Sequence, residues 1–258
     1  MNAPIIVIGI GELGSVFARG FLKTGHPVYP ITRDMDMQQL QPTLPIPEAV
    51  LVSVGEADLH PTLAQLPEAW NDKVILLQNE LLPRDWMQHQ LTQPTVISVW
   101  FEKKKDMDSK IVLPSPVWGP HAQLVMQALN SLDIPTYEVT DADEMTYELV
   151  RKNLYILTTN IAGLELPPGT TVAQLRDAHG SLMDAVAQDV LKIQAALVDT
   201  PLDQARLMTG MLEAFDGDPA HKCMGRSAPA RLKRALEHAR LFNLSVPTLE
   251  KIAAKHLP

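Results

Sequence analysis

The segment "PIIVIGIGELGSVF" (4–17) constrains the fold more than any other in this chain. A run of β-branched residues ends in Gly9, Gly11 and Gly14, spaced as G-x-G-x-x-G, and a helical pattern follows at once. Each glycine has its own task in a strand–turn–helix of this kind. Gly9 makes the tight turn, Gly11 lets the backbone approach a pyrophosphate, and Gly14 lets the helix lie close on its strand. The first helical N–H groups, at Glu12 and Leu13 beyond the turn, then face an anion at the positive end of the helix dipole. A dinucleotide is the ligand this pattern expects.

The rest of the first half keeps the same rhythm. Apolar runs at 27–32, 49–54, 73–78, 95–99, 110–114 and 136–139 alternate with helical stretches. Several are apolar on both faces, as central parallel strands covered on both sides are. The alternation predicts a doubly wound, Rossmann-type α/β domain over residues 1–140 with a mostly parallel sheet. It is an abbreviated one. Only "RDMDMQQLQPTLPIPE" separates the second and third strand candidates, too little for a full helix and another strand. From Thr140 onwards no strand pattern is found. "TDADEM" offers a helix N-cap with acids in the first turn. Helical stretches running to about 166 and near 171–198, 201–215 and 226–243 are punctuated by "PPG", Pro201, "DGDPA" and Pro247. Residues 141–258 are therefore expected to form an all-α domain.

The end of the second strand discriminates between dinucleotides. An NAD site places an acid there for the ribose 2′-hydroxyl. Here Thr32 occupies that position and Arg33 follows, which favours NADP through pairing with the 2′-phosphate. Asp34 would serve the ribose instead if the strand ran one residue further.

Composition removes other classes. A net charge of −8 disfavours a nucleic-acid partner and gives no attraction to anionic membranes. Cys223 is the single cysteine, so no intramolecular disulfide or thiolate metal cluster is expected, in keeping with a reducing cytoplasm. The "HKC" triplet at 221–223 lacks supporting ligands, so no metal site is expected there. The N-terminus reads as a strand that starts at once and not as a signal peptide. An apolar helical half of this size is compatible with a homodimer, though no residue pattern marks an interface.

"RKNLYILTTN" (151–160) places Lys152, Ile156 and Asn160 on one helical stripe. Burying a lysine without a partner is costly, so the stripe is either solvated or lines a site. With these residues in view, the chain resembles the ketopantoate reductase family of NADP-dependent 2-keto acid reductases. The resemblance covers most of the length and is carried by the glycine turn, by "LLQNELL" (76–82) and most specifically by "ELVRKNLYILTTN" (148–160). "RALEHARLFNLSVP" (234–247) also resembles the family's late helix. The resemblance implies reduction of a small-molecule 2-keto acid or related carbonyl, with Lys152 as general acid. It implies that Asn79 positions the nicotinamide or the substrate carbonyl, and that Asn160 hydrogen-bonds the substrate or holds the lysine. Three positions depart from the family pattern. Ile156 replaces the first asparagine of the stripe, Ser227 falls on a substrate-binding glutamate, and Glu56 or a neighbour stands where a lysine is usual. Arg226 and Arg231 are either a charged helix face or a grip on a substrate carboxylate or cofactor phosphate. Two further readings stay open: an imine or 3-hydroxy acid reductase on the same plan, and a catalytically weak dinucleotide-binding or scaffold protein.

Overall fold

The apolar run at the N-terminus forms a strand with no exposed side. In the computed structural model, which describes residues 2–257, β1 (Ile5–Ile8) is buried at every position. It hydrogen-bonds β2 (Val28–Ile31) on one side and β3 (Ala49–Val52) on the other, both parallel. β4 (Val74–Leu76) and β5 (Thr95–Ile97) extend the parallel run from β3. β8 (Ser115–Trp118) then pairs antiparallel with β5, and β9 (Thr136–Glu138) pairs parallel with β8. The seven-stranded order is β2-β1-β3-β4-β5-β8-β9. β2 is an edge, as expected of an abbreviated domain. The carbonyls of Pro27 and Ile31 both turn to β1, so Pro30, on the alternate phase, turns its backbone outward where no N–H is needed.

α1 (Glu12–Lys23) covers β1 through Val16, Phe17 and Phe21, all buried with Leu51, Ile75 and Val117 from the sheet. Its Gly20 permits close approach to α5 (Ala122–Asn130): a Cβ there would lie 2.6 Å from the Ala128 carbonyl oxygen. Between β2 and β3 there is only α2 (Met37–Leu40) and one 3-10 turn. α3 (Leu59–Ala64) and α4 (Pro83–Met87) are equally short.

The expected strand at 110–114 needs correction. Only Lys110–Ile111 is extended, and this β7 pairs with β6 (Phe101–Glu102) in a separate hairpin whose tip is the lysine-rich turn. The sheet strand is β8, which carries a proline at 116. Pro116 faces Ser98, one residue past the end of β5, and takes part through its carbonyl, which accepts the Ser98 N–H at 3.1 Å.

The chain divides into two units, one up to Glu148 and one from Leu149. α6 (Ala142–Leu164) runs through that boundary, and α7 (Val172–Leu197), α8 (Gln204–Gly217), α9 (Ala228–Leu241) and α10 (Pro247–His256) follow. α7 opens on a capping box between Thr171 and Gln174 and kinks at His179, next to Gly180. α10 went unrecognised because Pro247 was read as a stop, whereas it occupies the first turn, where its missing N–H costs nothing. The cap comes from afar. The buried Asp189 carboxylate on α7 accepts the N–H groups of Thr248 (2.8 Å) and Leu249 (3.4 Å) and an ammonium N–H from Lys192 (2.8 Å). Asp189→Ala should lower unfolding stability by about 2 kcal/mol, combining a lost cap with buried donors left unmet. Urea denaturation checks this, and an unchanged midpoint would remove the capping role.

Candidate functional site

Parallel strands end together, and the C-terminal ends of β1 to β4 hold the site. Gly9 donates its N–H to Ile31 O at 2.9 Å and Ser53 donates to Ile8 O at 2.7 Å, locking the strand ends in register. Gly9 is left-handed, with φ +88°, and a Cβ there would lie 2.6 Å from Ser53 O. A Cβ on Gly14 would lie 2.1 Å from Gly9 O. Both glycines are therefore required by the protein's own backbone. Gly11 is different: it precedes α1 with φ −73°, and a Cβ there would meet nothing within 4 Å. The turn is packed on two glycines and open at the third.

Two hollows adjoin at Gly11 and share the Ser53–Val54–Gly55 segment. The larger, of about 840 Å³, is lined by Ile8 to Gly11, by Thr32, Arg33 and Asp34 after β2, and by Asp58, Pro61, Thr62 and Gln65. That volume suits a small-molecule site. The smaller, of about 240 Å³, is lined by Glu12, Leu13, Glu56, Gln78 and Asn79. An extended two-part ligand laid across Gly11 would place one part in each. Ser53, Val54 and Gly55 were not singled out in the sequence; their signal is the end of a strand parallel to the glycine-bearing one.

The side chains around these hollows are held in distinct ways. Arg33 is 89% exposed and lies 3.7 Å from Asp58, a solvent-facing pair that constrains it little. Lys103, from the hairpin tip, is only 19% exposed and lies 3.4 Å from Glu12 on the first turn of α1. The lysine-rich segment after β6 thus sends one cation to the helix start. Buried Gln78 donates to Val52 O at 2.7 Å and ties β4 to β3. Asn79 donates its side-chain N–H to Glu56 Oε1 at 3.2 Å. Glu80, left-handed at φ 63°, turns the chain sharply just after it.

In the helical unit, Lys152 is half-buried on α6, with Ile156 and Asn160 buried beyond it. Asn160 accepts an N–H from Arg231 at 2.9 Å and donates to Thr159 Oγ1 at 3.4 Å. Arg231 is itself buried on α9 and so reaches inward, unlike a charged outer face. Gly163 lets α6 press on the Cys223–Met224 backbone, where a Cβ would lie 2.9 Å from Met224 N. Ser227 precedes α9 without a capping hydrogen bond, and Arg226 is exposed. Cys223 is buried, which pushes its thiol up to about 11 and leaves it protonated. Among the described residues, no three His, Cys, Asp or Glu side chains are grouped to hold a metal, and no helix is long and apolar enough to cross a membrane. Two histidines distant in sequence meet: His60 Nδ1 and His89 Nε2 lie 3.1 Å apart on α3 and just after α4.

No family model matches the chain, and no curated protein matches it. Solved structures do share its fold. A PanE/ApbA family ketopantoate reductase from Ralstonia eutropha JMP134 is 15% identical with a TM-score of 0.65, over 97% of this chain and 96% of that one. A 2-dehydropantoate 2-reductase from Methylococcus capsulatus is 14% identical with a TM-score of 0.66, over 97% and 94%. D-Mandelate dehydrogenase, solved with NADH, is 13% identical with a TM-score of 0.64, over 97% and 96%. At such identities the likeness is one of fold: a mostly parallel sheet with its helices, followed by a helical region.

Proposed function

We propose that this chain is an NADP-dependent oxidoreductase that reduces a small 2-keto acid or related carbonyl. The observation that carries the reading is the glycine turn, fixed by Gly9 and Gly14 and open at Gly11 onto two adjoining hollows. The residues present fit a dinucleotide. The start of α1, at Glu12 and Leu13, offers N–H groups to a pyrophosphate. Thr32 and Arg33 suit a 2′-phosphate, and Asn79 stands at the far end. When bound, the dinucleotide supplies hydride from its nicotinamide ring. Lys152 supplies the matching proton to the carbonyl oxygen and stabilises charge developing there. The fold shared with ketopantoate reductases and D-mandelate dehydrogenase supports the reaction class by analogy.

Titrating the protein with NADPH and NADH, followed by cofactor fluorescence, tests the cofactor assignment. Arg33→Ala should weaken NADPH binding by about 10- to 100-fold, the worth of a charge-assisted contact, and change NADH binding little. Equal losses for both would remove the 2′-phosphate role. A second reading is a dinucleotide-binding protein without turnover, favoured by the inward commitments of Ile156 and of Asn160 to Arg231. NADPH binding without oxidation by any small carbonyl would establish that reading instead.

A further inference from the structure

Neither His60 nor His89 lines the two hollows, yet their nitrogens are spaced much as two ligands of one metal ion are. His60 is the second residue of α3, which buried Leu59 and Leu63 anchor. His89 follows α4 between buried Trp86 and Leu91, where the Leu91 N–H bonds Trp86 O and left-handed Gln90 (φ 60°) closes the turn. Two separate elements, each fixed by its apolar residues, thus bring one imidazole apiece to the same point. His60 Nδ1 and His89 Nε2 are 3.1 Å apart, with the rings inclined at only 22°. Zn–N bonds of about 2.0–2.1 Å at a tetrahedral angle put two ligand nitrogens roughly 3.3–3.4 Å apart. Both side chains are at least partly exposed, so small ring rotations close that difference.

The neighbours favour the ligating form of the pair. Gln88 Nε2, a donor only, lies 3.1 Å from His60 Nδ1, so that nitrogen carries the lone pair and the ring proton sits on Nε2. Asp85 Oδ1 lies 3.8 Å from His60 Nε2, and Asp85 Oδ2 accepts the Leu82 N–H at 2.8 Å. A carboxylate on that side favours the Nε2 proton and leaves Nδ1 as the ligand nitrogen. Burial, and then the adjacent His60 ring, hold the His89 pKa below the ordinary histidine value, so His89 is neutral at pH 7. Turned over, the Gln88 amide offers its oxygen to the same point as a further donor.

We propose that His60 and His89 together bind one imidazole-seeking dication of the Zn²⁺ class, with the Gln88 side-chain oxygen and solvent completing the shell. His60 ligates through Nδ1, and His89 moves its proton from Nε2 to Nδ1, so no net proton is released. Only two donors are imidazoles, in keeping with the lack of a group of three His, Cys, Asp or Glu ligands among the described residues. The bound ion clamps α3, whose Pro61 and Thr62 line the larger hollow, to the chain just after α4. The site is independent of the reductase reading.

The test titrates Zn²⁺, with Mg²⁺ as the control, into the metal-stripped full-length protein carrying no polyhistidine tag. Calorimetry and thermal unfolding follow the binding. Wild type should take up one Zn²⁺ and ignore Mg²⁺, the selectivity of imidazole over carboxylate ligands. Free Zn²⁺ at about 100 times Kd should raise Tm by about 5–10 °C. His60→Ala and His89→Ala should each weaken Zn²⁺ binding at least about tenfold, since even an outer partner of a metal ligand is worth about 10- to 100-fold. The double variant should lose little more than either alone, because one ion needs both rings. Circular dichroism of the metal-free variants confirms that they are folded. Zn²⁺ binding unmoved by either substitution, equal binding of Mg²⁺, or no saturable uptake at submillimolar Zn²⁺ would each overturn the proposal. A double variant that loses the full product of the two single losses would place the rings on separate ions and overturn it as well.

Discussion

Lys152→Ala is expected to lower NADPH-dependent carbonyl reduction by about 10²- to 10⁴-fold while leaving NADPH affinity nearly unchanged. The split follows from where the groups lie in the chain. The residues lining the two hollows all fall between Ile8 and Asn79, and the dinucleotide contacts proposed above are drawn from them. In the proposed mechanism the ammonium acts on the carbonyl oxygen, where it would both deliver a proton and stabilise the charge that accumulates during reduction. Lys152→Arg keeps a cation but holds its proton too firmly to donate it, so it should recover little of the lost rate. Initial rates of NADPH absorbance decay, set beside a fluorescence titration of the same variants, measure both quantities. A full rate in Lys152→Ala would sink the general-acid assignment, and so would an equal loss of cofactor affinity.

The glycine turn yields the second large effect, and its two variants should fail differently. Gly14→Ala would set a methyl carbon 2.1 Å from a main-chain oxygen, with no side chain available to yield. Overpacking of buried sites costs about 1–3 kcal/mol when side chains can shift. A backbone clash of this size should reach at least the top of that range, so Gly14→Ala should be strongly destabilised. Gly11→Ala meets no protein atom, and should stay within about 1 kcal/mol of wild type in chemical denaturation. Its methyl instead enters the hollow and should weaken NADPH binding by about tenfold or more, since the backbone must come close to the phosphates. If Gly11→Ala binds NADPH normally, the phosphate path does not cross the turn.

The sequence was most informative where local chemistry decides the outcome alone. The strand, the glycine turn and the first helix could all be read because each residue's requirement is met within a few positions of itself. β1, fully buried, is apolar throughout, and the spacing of the glycines admits few other geometries. Errors arose where a distant residue changes what a local signal means. The apolar run at 110–114 reads as a sheet strand until β7 is seen to pair with β6 instead, and Pro247 reads as a stop until Asp189 is found capping the helix it begins. The candidate site divides in the same way. The stripe of Lys152, Ile156 and Asn160 was evident from spacing, but Asn160's bond to Arg231 depends on the approach of α9, which no local pattern encodes. The departure at Glu56 was noticeable as a residue, while its contact with Asn79 joins the ends of two different strands.

Shortening a parallel sheet from one side carries a hazard that β2 illustrates. Removing an outer strand exposes a row of main-chain donors and acceptors, an invitation for a strand from another copy to add itself and for the chain to grow into aggregates. Here the newly outermost strand has a proline at the position where its backbone faces outward, so the row is broken at its middle. Pro30 therefore lets the domain be small without being adhesive.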